Sequence, residues 1–142
     1  MITYEKVLVL KNVGLFEKAS ELALSDLISV AEERMLKSGD TLLEAGEENH
    51  LLYVVLSGAL EMTAKGKIIQ EFGPREIIGE TTVFSPAPLP GEVKAREKTF
   101  ILEFSAEQLY RVMALHPTLA YGFLEELSRR VRLNEKKRLE NT

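Results

Sequence analysis

Apolar and polar positions along the chain fall into three textures, helical toward both ends and sheet-like between. Leu24, Leu27, Ile28 and Ala31 recur at i, i+3, i+4 and i+7, one stripe of an amphipathic helix, and Ser20 stands where a cap would start it. This spacing predicts a helix over about residues 20–33. From Arg34 to Phe104 the pattern shortens to β-rich runs cut by Ser38-Gly39-Asp40, Ala45-Gly46-Glu47, Ser57-Gly58, Lys65-Gly66 and Phe72-Gly73-Pro74. Breaks at that density imply strands of about five residues in an antiparallel sandwich or barrel.

Leu51 to Leu56 is apolar throughout and reads as a central strand covered on both faces; Phe100 to Phe104 is a second solid strand. Between them, the stretch from Ser85 to Gly91 holds three of the five prolines. Proline cannot donate to a ladder, so this segment is expected to be an irregular, stiff loop. Ser105 then caps a short helix through Leu109, Val112 and Met113 that ends near His116-Pro117. A final helix from about Thr118 places Ala120, Leu124, Leu127 and Val131 on one side, and past Leu133 its charged residues are expected to fray.

Composition narrows the function classes. The chain has 142 residues, 45% hydrophobic and 28% charged, which suits one globular domain. A formal net charge of −4 argues against a surface that neutralises nucleic-acid phosphates. There is no cysteine, and the two histidines, His50 and His116, sit in separate contexts, so no metal centre is expected. The longest apolar run is far short of the roughly 18 residues that span a bilayer, and the first ten residues lack the pattern of a signal peptide. A cytoplasmic location is the resulting expectation. Nucleophile elbows, Walker loops and dinucleotide fingerprints are absent, so an enzyme is not expected.

Lead-in helix, glycine-punctuated β region and long C-terminal helix together resemble the cyclic nucleotide-binding domain of the catabolite activator and protein-kinase regulatory-subunit superfamily. Leu15-Phe16 is similar to its lead-in, the run from Leu51 to Gly58 to its Leu-Tyr-x-Val-x-x-Gly strand, and Phe72 to Glu80 to the approach to its phosphate cassette. Val93-Lys94-Ala95 and the tail from Ala106 to Arg132 continue the resemblance. It implies a mainly β fold, a jelly-roll β-roll of the double-stranded β-helix type, flanked by N- and C-terminal helices. Residues 1–142 are then read as one domain with its core at about 10–132 and no separate DNA-binding domain.

The resemblance also implies a ligand pocket built from Gly79, Glu80, Thr81, Thr82, Leu89, Pro90 and Gly91. In the family a Gly-Glu pair opens a turn whose N–H groups face a cyclic phosphate, the glutamate accepts from the ribose 2′-hydroxyl, and an arginine about nine residues later clamps the phosphate. Gly79 and Glu80 match, but the arginine position falls on Leu89 and the next on Pro90, with Glu92 close by. Losing a two-pronged cation contact weakens binding by about a hundredfold to several thousandfold. Lys94 and Arg96 alternate outward from inward-facing Gly91, Val93 and Ala95, and Arg75 lies in the loop before the cassette. For Glu80 two roles stay open, holding a ligand hydroxyl or bracing the turn. For Thr81 and Thr82, satisfying the turn's own N–H groups is favoured over ligand contact.

The leading expectation is thus a non-enzymatic regulatory module that does not take cyclic AMP or cyclic GMP in the usual mode, needs no cofactor, and acts through a protein partner or another small ligand. A cyclic nucleotide receptor using Glu80 and backbone donors is the alternative, with a DNA-binding regulator behind it. The proline loop reads as a plug over the vacated pocket rather than a recognition surface. Along the last helix, Ala120, Leu124, Leu127 and Val131 are spaced as a short coiled-coil seam or a face packed on the barrel, and a homodimer is expected.

Overall fold

The computed structural model describes residues 1–141. Helix α1 (Thr3–Lys11) buries Val7 and Leu10 and leads through a single 3-10 turn (Gly14–Phe16) to helix α2 (Glu21–Val30). Ser20 caps α2 as expected, its hydroxyl accepting from the Ala23 N–H at 3.1 Å. Helix α1 has no counterpart in the sequence reading, and α2 stops at Val30, because Ala31 is extended and Glu32 pairs with Glu103. Strand pairing outweighs the helical propensity of Ala31-Glu32-Glu33.

Ten strands follow: β1 (Glu32–Leu36), β2 (Thr41–Leu43), β3 (Glu48–Asn49), β4 (Leu51–Ser57), β5 (Leu60–Ala64), β6 (Lys67–Phe72), β7 (Ile77–Ile78), β8 (Ala87–Pro88), β9 (Glu92–Ala95) and β10 (Thr99–Ser105). They form antiparallel sheets in the orders β1-β10-β4-β7 and β2-β9-β5-β6, with a two-stranded pair β3-β8. This is the expected jelly-roll core with flanking helices. The proline segment is not wholly irregular, since Ala87 and Pro88 pair with Asn49 and Glu48. Two residues suffice for that contact, and proline keeps its carbonyl as an acceptor.

Strand β4 lies between β10 and β7 and is buried on both faces, as its unbroken apolar run requires. Tyr53 and Val55 point between the sheets into a cluster with Leu36, Leu60, Met62, Val93 and Ile101. Leu52, Val54 and Leu56 point the other way, onto Leu10, Phe16, Leu24, Leu27 and Phe123 of the helical layer. Alternation therefore splits one apolar strand between two cores.

Helix α3 (Ala106–Leu115) opens on a reciprocal capping box between Ser105 and Gln108, and α4 (Pro117–Glu140) begins with proline at its first position. At their junction His116 Nε2 meets Asp26 Oδ2 of α2 at 2.7 Å. Helix α4 differs from expectation in two ways. It continues to Glu140 instead of fraying after Leu133, and its buried residues are Leu119, Gly122 and Phe123. Leu124 and Val131 are 65% and 55% exposed and Ala120 is half-buried, so of the predicted stripe Leu127, half-buried against the helical core, is the member that packs there.

Candidate functional site

The loop after β7 is shaped by backbone geometry before any side chain acts. Gly79 has φ +96°, and a Cβ there would collide with the Leu51 carbonyl oxygen and stand 2.7 Å from Asn49 Nδ2. Only glycine lets the turn sit this close to β3 and β4. The Gly79 carbonyl then accepts the N–H groups of Thr82 and Val83 at 3.1 and 2.9 Å, closing the turn on itself.

Each residue of the expected pocket has a definite place. Thr82 is buried, its hydroxyl accepting from Asn49 Nδ2 at 2.9 Å while Asn49 also donates to Leu51 O at 2.8 Å. Thr82 thus ties the turn to β3, and Thr81 is exposed. Gly91 is buried because its backbone runs against the Thr63 carbonyl, where a side chain would clash. Pro90 is exposed, and Leu89 is half-buried against the cluster between the sheets. Lys94 and Arg96 point outward, Lys94 to Glu92 at 3.1 Å and Arg96 to Glu71 at 2.8 Å.

Glu80 reaches α4. Its Oε1 lies 3.3 Å from Arg130 Nη1, while its Oε2 is buried without a hydrogen-bond partner. Arg130 and Arg129 both engage Glu126, at 3.3 and 2.5 Å, and Arg129 holds the Glu126 carboxyl below the usual carboxylate range. A second link joins the same two elements: Phe84, just past the turn, packs edge-on to Phe123 of α4 with ring centroids 5.7 Å apart. Sequence reasoning missed both Arg130 and Phe123 as partners of the turn. The one available signal was the pair Leu119 and Phe123, four apart around Gly122, where an added Cβ would stand 3.7 Å from the Leu15 carbonyl oxygen.

A cavity of about 270 Å³ opens beside Glu80, between the β6–β7 turn and α4, and is lined by Val13, Gly14, Gln70, Arg75, Ile77 and Arg130 among others. Arg75 enters it from a left-handed backbone, φ +75°. Among the described residues, no three His, Cys, Asp or Glu come together as metal ligands, and no helix is long and apolar enough to cross a membrane.

Comparison with known proteins agrees with this architecture. Residues 33–116 match the family model of the cyclic nucleotide-binding domain. The rice potassium channel KOR2 is 28% identical over 113 residues, which is 76% of this chain and 16% of the channel. A CRP-like cAMP-activated global transcriptional regulator of Mycobacterium tuberculosis is 22% identical over 87% of this chain and 58% of its own length. The chain therefore spans only part of these curated relatives. Among solved structures, the N-terminal domain of a Streptomyces coelicolor transcriptional regulator superposes with a TM-score of 0.81 at 27% identity, covering 91% of this chain and 93% of that one. With the family model matched across more than half of the residues, the chain belongs to the cyclic nucleotide-binding domain family.

Proposed function

We propose that the chain is a non-enzymatic regulatory domain that does not take cyclic AMP or cyclic GMP through its family's phosphate clamp, and that it acts by protein contact along α4, first with a second copy of itself. The observation that carries this reading is Leu89. Where the family's pattern calls for a cation, a leucine is half-buried against the apolar cluster between the sheets. Thr82 is equally committed, to Asn49 and Gly79, and has no hydroxyl hydrogen left to offer a phosphate. Leu124 and Val131 on α4, with Ile68 and Ile69 on edge strand β6, offer exposed apolar surface for the dimer. A DNA-binding role has less support, because Arg129 and Arg130 are already paired with Glu126.

Titration calorimetry with cyclic AMP and cyclic GMP tests the reading. The expected result is no binding tighter than about 10 μM for either nucleotide. Tighter binding that is abolished by Glu80→Ala would overturn it and establish a receptor built on Glu80 and backbone donors.

A further inference from the structure

Two groups beside Glu80 are left without partners. The Arg75 guanidinium has no ion pair or hydrogen bond among the described residues, although it faces a cavity that also contains carboxylates. Its backbone sits at φ +75°, a conformation that costs an arginine strain and that glycine would adopt freely. The second group is Glu80 Oε2, an acceptor closed off from water with nothing donating to it. Glu80 also lines the cavity, and the terminal torsion of glutamate is soft, so its carboxylate can turn toward a donor placed there.

Charge and size then restrict what could satisfy both. Arg75 and Arg130 are balanced by Glu76 and Glu80 on the cavity wall, and Glu76 already accepts from the Gly73 N–H at 3.0 Å. A net-charged ligand would unbalance this wall, whereas a zwitterion brings an anion for Arg75 and an N–H donor for Glu80 without adding charge. The volume of about 270 Å³ leaves room for a free amino acid together with its side chain. Val13 and Ile77 supply an apolar wall for a side chain.

We propose that the cavity between the β6–β7 turn and α4 binds a free α-amino acid, its carboxylate held by Arg75 and its ammonium by Glu80. This rests on the reading above only in that it gives Glu80 a ligand other than cyclic nucleotide. The test is calorimetry with the twenty α-amino acids taken singly up to about 10 mM, repeated for the best binder with its deaminated acid and its decarboxylated amine. Expected is saturable binding of one or a few small apolar amino acids, lost in both truncated analogues. Arg75→Gly removes the cation while relieving the backbone, so it should melt as cooperatively as the parent and bind ten- to a hundredfold more weakly. The proposal fails if no amino acid binds, if either analogue binds as well, or if Arg75→Gly leaves affinity unchanged. Tight cyclic nucleotide binding would instead sink the functional reading, so the two failures are told apart.

Discussion

Leu89→Arg tests most directly whether the family's phosphate position has been vacated. Leu89 is half-buried against the cluster between the sheets, so the substitution gives up about half of a leucine's burial, roughly 1 kcal/mol. For a domain of this size that lowers the melting temperature by about 3 °C. Against it stands a two-pronged guanidinium–phosphate contact of about 3–5 kcal/mol, hence about a hundredfold to several thousandfold in affinity. Two neighbours limit the gain. Pro90 has no N–H to add, and Glu92 is close, although its pairing with Lys94 at 3.1 Å leaves a residual repulsion of about 1 kcal/mol or less. The expected outcome is cyclic AMP or cyclic GMP binding at least about tenfold tighter in the variant, read by calorimetry beside a thermal melt. A variant that melts cooperatively and binds no better than the parent would refute the placement of Leu89 at the phosphate position.

Burial pushes the Tyr53 phenol up to about 12, with the Glu103 carboxylate adding to the shift and Arg34 opposing it. The folded value lies above the ordinary 10, so its stabilisation is whole below pH 10 and is lost as pH rises toward 12, by about 3 kcal/mol at most; Tyr53→Phe should lack that loss in denaturant titrations, and parallel pH profiles would contradict it. Leu124→Glu should turn a sedimenting dimer into monomer with an unchanged circular dichroism spectrum, since Leu124 is 65% exposed; a parent that is itself monomeric ends the dimer proposal. Thr82→Val leaves one Asn49 N–H without its acceptor and should cost about 1–2 kcal/mol in chemical denaturation, and a neutral effect would mean that the turn is not held by this bond.

What was legible in the sequence was what is local. Both serine caps, the central strand and the inward set Gly91, Val93 and Ala95 follow from patterns within a few residues, and all stand as expected. Helix α1 was hidden because its run Val7-Leu8-Val9-Leu10 has no helical period; only Val7 and Leu10 are buried, and Leu8 is 47% exposed. On α4 the face packed on the core runs through Leu119 and Phe123, one residue back and about 100° around the helix from Ala120 and Leu124, which leaves the exposed Leu124 and Val131 to the other alternative, a seam between helices. Gly122 lies on the true face with no side chain to mark it, because the 3-10 turn rests there. Arg130, fifty positions from Glu80, could be assigned to it only by the fold.

Those nonlocal contacts also bound what the cassette turn can transmit. Glu80–Arg130 is a partly exposed ion pair, worth about 1 kcal/mol or less, and the Phe84–Phe123 edge contact adds about 0.5–1.5 kcal/mol. If both break when the turn moves, α4 is released from it by about 1–2 kcal/mol, a shift of roughly five- to thirtyfold in the docked population. Docking of α4 does not depend on these links alone, since Leu119 and Phe123 remain buried in the helical core. The C-terminal half of the helix is therefore the part that a ligand beside Glu80 can bias. That half carries Arg130 and the exposed Val131 and Leu133, so a modest change at the turn reaches the proposed dimer face without unpacking the core.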